Sequence, residues 1–218
     1  MKSFDFCNPT KIIFGEGALK KLGQELETCG NNVLLAYGKG SIKKEGIYDD
    51  VRKILSDSGK TVTELSGIMP NPTAAKTREG IALCKENKVD FILAVGGGSV
   101  IDCCKAIAIG SLVEEDFWDA FFTEQRIAKK AIPIGAVLTM VGTASEMNGS
   151  AVITNEELKI KDSFTLSVAY PKFSILDPTY TYSLPQYQMV SGICDVISHL
   201  MEQYLSGTDD NVSDDLNE

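Results

Sequence analysis

The sequence predicts an α/β fold on a mostly parallel sheet, giving way near residue 185 to the start of a helical unit, and three observations carry that prediction. Short apolar runs alternate with helical patterns through the first two thirds of the chain. One of those runs, Phe91 to Val95, breaks into Gly96-Gly97-Gly98 and resumes at once as a helical pattern. From Pro185 the alternation stops, and one long helical run, Gln186 to Leu205, takes over.

The runs that read as strands are Ile12 to Phe14, Val33 to Tyr37, Val62 to Leu65, Phe91 to Val95, Ile132 to Leu138 and Phe173 to Leu176. Between them, apolar residues three or four apart mark helices over Ala18 to Thr28, Ile47 to Ser58, Thr73 to Asn87 and Val100 to Ser111. The stretch Val113 to Lys130 reads as an irregular connection. Asp177-Pro178 and Leu184-Pro185 are turn signals, and they place a domain boundary ahead of the last helix, dividing the chain into 1–184 and 185–218.

At 218 residues and 44% hydrophobic, the chain is long enough for one substantial core and the beginning of a second. No run approaches a membrane span, and Met1 to Cys7 lacks an apolar signal core, so a cytoplasmic protein is expected. The net charge of −9 argues against sequence-independent nucleic-acid binding. More than half of it sits in the last ten residues, as Asp209, Asp210, Asp214, Asp215 and Glu218, which read as a solvated end. Six cysteines with neither a Cys-x-x-Cys pair nor a regular framework read as reduced core thiols.

The strand, glycine bend and helix start come in the order that a pyrophosphate site needs. Glycines without Cβ let backbone N–H groups approach an anion, and the helix dipole adds its positive end there. Ser99 is placed to cap that helix or to donate to a phosphate oxygen, and Asp102 lies one turn in. A tight βα turn without a ligand would use the same glycines. Ligands of open α/β sheets collect at the carboxyl ends of the strands, so the loops after Tyr37, Leu65, Val95 and Leu138 should face one crevice. Gly38-Lys39-Gly40-Ser41 with Lys43 and Lys44 suits a ribose carrying a 2′-phosphate, or is a lysine-rich solvent loop. Met69-Pro70-Asn71-Pro72-Thr73 holds the Asn71 amide on a rigid turn, or serves as a stiff helix entry with Thr73 as N-cap. After Leu138, Thr139, Thr143, Ser145 and Glu146 supply three hydroxyls and a carboxylate.

In the last helix, Asp195 and His199, the chain's one histidine, are four residues apart and therefore share a face. A carboxylate and an imidazole suit zinc or ferrous iron, although the same spacing also serves a helix ion pair.

Taken together, these residues resemble the iron-containing (group III) alcohol dehydrogenases, on the side of the NADPH-dependent butanol dehydrogenases and aldehyde reductases. The resemblance runs from Asn8-Pro9-Thr10 through Gly38 to Lys44, Pro70-Asn71-Pro72, Gly96 to Ser99 with Asp102 and Lys105, and Thr139 to Met147. It continues through Leu176 to Pro185 and on to Asp195, His199 and Glu202-Gln203-Tyr204. It implies the dehydroquinate synthase-like fold of that family, a Rossmann-like N-terminal domain followed by an all-helical one. Dehydroquinate synthases and glycerol-1-phosphate dehydrogenases share that fold, but Asn8-Pro9-Thr10 and Tyr180 to Pro185 point to the alcohol dehydrogenases.

By the resemblance, Gly96, Gly97, Gly98, Ser99 and Asp102 hold the pyrophosphate and nicotinamide side of the cofactor, and Gly38 and Ser41 surround the adenosine ribose. Thr139 and Lys161 match further cofactor contacts, while Asn71 matches a position near the adenosine end. NADP(H) is implied over NAD(H), because relatives that prefer NAD are acidic where Lys39 and Gly40 stand here. Asp195 and His199 match two ligands of a divalent metal, Fe2+ or Zn2+, and are the implied catalytic residues. The implied reaction is hydride transfer between NAD(P)H and short-chain aldehydes or primary alcohols; a homodimer is compatible with it, and the charge and the lack of a long apolar run argue against nucleic acid and membrane as partners. Two departures stand out. The family's remaining metal histidines lie beyond residue 218, so the chain reads as truncated in its second domain, and a non-catalytic dinucleotide-binding fragment is the alternative. Relatives also usually have glycine where Ala144 stands.

Overall fold

The computed structural model describes residues 7–206; the acidic stretch from Asp209 to Glu218 lies outside them. The elements are β1 (Lys11–Phe14), α1 (Leu22–Leu26), β2 (Asn32–Tyr37), α2 (Ser41–Lys44), α3 (Ile47–Asp57), β3 (Thr61–Leu65) and α4 (Ala74–Glu86). They continue with β4 (Phe91–Gly96), α5 (Gly98–Gly110), β5 (Ile134–Leu138), β6 (Ser150–Asn155), β7 (Ile160–Thr165), β8 (Phe173–Leu176) and α6 (Gln186–Ser206). Six strands form one sheet in the order β1-β8-β5-β4-β2-β3, every neighbouring pair parallel. All six are runs that the sequence marks as strands.

A parallel sheet covered on both faces needs apolar side chains at successive positions, and β2 and β4 supply them. Val33, Leu35 and Tyr37, with Phe91, Leu93 and Val95, face Leu22 and Leu26 of α1 and Val51 and Leu55 of α3. Leu34, Ala36, Ile92 and Ala94 face the other way, against Ile101, Cys104 and Ile107 of α5. Each fully buried Val, Leu or Ile among these contributes ~1.5–3 kcal/mol. The strand order reverses direction between β2 and β4, so the chain leaves these neighbours toward opposite faces, and a crevice opens at their carboxyl ends.

Three expectations are corrected. The helix expected over Ala18 to Thr28 is a 3-10 turn, Ala18–Lys21, followed by α1, which ends at Leu26. Between β5 and β8, where no strand is expected, β6 and β7 form an antiparallel hairpin; β6 alternates half-buried and buried positions, whereas β7 buries only Phe164. The irregular connection within Val113 to Lys130 includes a π-helical turn, Asp119–Thr123. The segment packs into the core, with Phe117, Trp118, Phe121 and Phe122 buried with Ala151, Ile153 and Phe164 of the hairpin. Trp118 and Phe122 stack with ring centroids 4.3 Å apart, and Arg78 of α4 anchors the segment through a bidentate pair with Asp116, Nε to Oδ2 at 2.7 Å. The thiols also divide: Cys84, Cys103 and Cys104 are buried, Cys29 is half-buried, and Cys7 and Cys194 are exposed. No helix among the described residues is long and apolar enough to cross a membrane.

Phe122 closes this third core, meeting Trp118 and Phe117 on one side and Phe164 on the other. Phe122→Ala is expected to cost ~3–5 kcal/mol, read as a lowered denaturation midpoint, and to expose the hairpin to proteolysis.

Candidate functional site: a cleft at the carboxyl ends of the strands

All four strand-end loops singled out in the sequence line one cleft of about 380 Å3. The loop after β2 gives Gly38, Lys39, Ser41 and Ile42, and the loop after β3 gives Ile68, Met69 and Pro70. The glycine bend contributes Gly96 to Val100, the loop after β5 contributes Thr139 and Met140, and Leu184 and Gln188 come from the start of the final helical segment.

Gly97 is the N-cap of α5 and has extended backbone, and no side chain caps the helix. Ser99 is therefore not a cap, and it lines the cleft instead. The leading N–H groups of a 13-residue helix thus open onto the cleft with their share of the dipole, the arrangement an anion uses. Packing keeps side chains out of the bend: a Cβ on Gly96 would lie 2.6 Å from Val100 Cγ2, and one on Gly98 would lie 2.3 Å from Thr143 Oγ1. Of the cofactor contacts implied by the resemblance, Gly38, Ser41, Gly96, Gly97, Gly98, Ser99 and Thr139 line this cleft.

Three others lie elsewhere. Asp102 is buried at 8% exposure behind the bend. Its Oδ1 accepts from Ser145 Oγ at 2.7 Å and its Oδ2 from the Val152 N–H at 3.0 Å, so both oxygens are taken by protein. Burial raises its pKa, against the pull of those two hydrogen bonds and of Lys105. Asn71 and Lys161 meet each other instead, Lys161 Nζ donating to Asn71 Oδ1 at 2.8 Å, which joins β7 to the turn before α4. That turn serves as the helix entry. Thr73 caps α4 by accepting from the Lys76 N–H at 3.2 Å, and Asn71 is held in the left-handed region with φ 56°.

Two groups of residues were not assigned from the sequence. Lys105, fully buried one turn beyond Asp102, donates to Asn148 Oδ1 at 2.9 Å and to the Ser150 carbonyl at 2.8 Å. Burial brings its pKa down to about 8, with Asp102 and Glu146 acting the other way. The i, i+3 spacing of Asp102 and Lys105 inside an apolar helix was the available signal, since two charges on one buried face require partners. The second group lies beside the loop after β2, where the Tyr37 and Tyr48 hydroxyls donate to the two oxygens of Glu64 at 2.7 and 2.8 Å. Burial works to raise the Glu64 pKa, but these hydroxyls and Arg52 outweigh it, and the carboxyl titrates below its ordinary value. Lys43 sits over both tyrosine rings, 5.1 and 4.5 Å from their centroids. Of the loop's three lysines, only Lys39 lines the cleft.

Asp195 and His199 do share a face of α6, with Nε2 3.8 Å from Oδ1 and both side chains about half exposed. Among the described residues no group of three or more His, Cys, Asp or Glu side chains could hold a metal, so this pair offers two donors. What sets its position is a backbone approach. A Cβ on Gly192 would lie 2.8 Å from the Val141 carbonyl oxygen, and one on Gly142, where φ is 155°, would lie 3.2 Å from Asp195 Oδ2. The loop that lines the cleft with Thr139 and Met140 thus reaches the pair two residues later.

Comparison with known proteins matches this architecture. The profile of the iron-containing alcohol dehydrogenases matches residues 9–178. The chain is 50% identical over 204 residues to a probable NADH-dependent butanol dehydrogenase of Bacillus subtilis, covering 94% of this chain and 52% of that protein. It is 41% identical over 208 residues to an NADPH-dependent aldehyde reductase of Escherichia coli, covering 94% of this chain and 53% of that protein. The crystal structure of an NADH-dependent butanol dehydrogenase A from Thermotoga maritima superposes with a TM-score of 0.94 at 45% identity, over 100% of this chain and 55% of that one. The chain spans about half the length of the curated relatives it matches. With the profile matched over most of its length and the sheet order and glycine bend in place, this chain belongs to the iron-containing alcohol dehydrogenase family.

Proposed function

We propose that the chain is the nucleotide-binding part of a metal-dependent alcohol dehydrogenase or aldehyde reductase, which transfers hydride between NAD(P)H and short-chain aldehydes or primary alcohols. The observation that carries this reading is the uncapped start of α5, which opens onto a cleft lined by glycine backbone and by all four strand-end loops. The backbone at Gly97, Gly98 and Ser99 receives the pyrophosphate, with the helix dipole stabilising its charge. Thr139 and Met140 then bound the nicotinamide end, on the side from which the same loop leads to Asp195.

Asp195 and His199 would hold a divalent ion such as Fe2+ or Zn2+, their carboxylate and imidazole being donors that suit either. The chemistry such an ion would supply there is Lewis-acid polarisation of the substrate oxygen. The chain's own residues do the positioning: the bend fixes the cofactor, and the contact of Gly192 with Val141 fixes the pair relative to it. The names of the relatives divide between NADH and NADPH. The rim favours NADPH for this chain, because Glu64, the carboxylate near the end of β3, is already committed to two tyrosines, whereas Lys39 is available to a 2′-phosphate. A second reading, a dinucleotide-binding unit without catalysis, is favoured by the limit of two metal donors among the described residues.

Titration of the purified chain with NADPH, followed by nucleotide fluorescence, tests the reading. Saturable enhancement is expected, and Gly98→Ala is expected to weaken it at least tenfold by forcing Thr143 off the bend. An unchanged affinity in folded Gly98→Ala, or no binding by wild type, would sink the proposal. Lys39→Glu is expected to lower the preference for NADPH over NADH at least tenfold, measured as the ratio of dissociation constants. Aldehyde-dependent oxidation of NADPH with added Fe2+ or Zn2+ separates the two readings, since the second predicts binding without turnover.

A further inference from the structure

The segment from Thr143 to Ser150 crosses over the first turns of α5, and its attachments there are polar. Thr143 Oγ1 stands against Gly98 and lies 2.9 Å from Ser145 Oγ, which donates to Asp102 at 2.7 Å. Asn148 accepts from Lys105 Nζ at 2.9 Å and, through the same Oδ1, from the Ser150 N–H at 3.0 Å. Its amide reaches back to the Thr143 carbonyl at 3.4 Å. Within this segment Ala144 is held in the left-handed region, with φ 51°. An alanine pays for that conformation, so something must hold the turn closed.

We propose that Asp102 and Lys105 are positioning residues, a two-point lock on the segment Thr143–Ser150 that keeps Thr143 seated against Gly98 and so keeps the glycine bend shaped for a nucleotide phosphate. The geometry supports a lock better than a ligand contact, because Asp102 is buried with each oxygen bonded to protein and Lys105 is fully buried. Buried charges whose bonds go to protein partners can specify one arrangement of those partners. The phosphate part rests on the nucleotide-binding reading above; the lock itself does not.

Amide hydrogen exchange on the nucleotide-free chain tests the lock directly. In Ser145→Ala and in Lys105→Met, exchange across residues 143–149 is expected to rise at least tenfold, while the amides of β2 and β4 keep wild-type protection. A pH series adds a readout that lost packing would not give. Lys105 is faced by Asp102 and Cys104 on its own helix and by Glu146 on the segment, and Lys161 acts on Asp102. Opening the segment returns the Lys105 amine to water, where it binds a proton more tightly than at its folded value of about 8. Wild-type protection of 143–149 is therefore expected to increase severalfold between pH 7.5 and 9, to do so also in Ser145→Ala, and to stay flat in Lys105→Met. Protection of 143–149 within twofold of wild type in folded Ser145→Ala would overturn the lock, whether or not Lys105→Met folds, as would the same pH response in Lys105→Met. NADPH affinity unchanged in a variant whose segment exchanges faster would overturn the phosphate part. Failure of wild type to bind NADPH would instead overturn that part together with the nucleotide-binding reading, and the exchange result would still decide the lock.

Discussion

The shape of the cleft depends on the approach of one hydroxyl to one α-carbon. Thr143 Oγ1 occupies the space that any side chain at position 98 would need, at 2.3 Å from where a Cβ would stand. That approach keeps the loop after β5 against the start of α5, whose uncapped end opens onto the cleft. The glycine there is required by a neighbour as much as by a ligand. Gly98 itself has no positive φ, so the constraint is close packing and not backbone freedom.

Around that contact, two kinds of interaction divide the work. The sheet and its covering helices are held by apolar burial on both faces, which is strong but non-directional. The segment over the bend is held by hydrogen bonds to Asp102 and Lys105, each weaker in net terms but directional. Desolvating a lysine and an aspartate opposes folding; what their bonds give in return is a single placement of Ser145, Asn148 and Ser150 on α5.

Much of this was legible in the sequence. The six parallel strands show because fully buried strands are continuous apolar runs such as Val33 to Tyr37 and Phe91 to Val95. The convergence of the strand-end loops followed from the rule that open α/β sheets bind at their carboxyl ends. The hairpin was missed because β7 reads Ile-Lys-Asp-Ser-Phe-Thr, mostly exposed, with Phe164 its one buried side chain. Its partners, Phe121 and Phe122, lie about 40 residues away in a segment with no clear period, and no local pattern connects them. The same limit applies to Asp102, Asn71 and Lys161. Sequence assigns a residue type to a position near the bend, but which side chain turns inward is decided by partners such as Ser145 and Val152, contributed by elements far along the chain.

The junction between the sheet and α6 has a consequence of its own. Gly192 meets the Val141 carbonyl with no side chain between them, so the helix rides directly on a peptide group of the loop that borders the cleft. Position 192 therefore works as a spacer of zero thickness. Any residue larger than glycine would push the helix that carries the carboxylate–imidazole pair away from that loop while leaving every group in both places chemically intact.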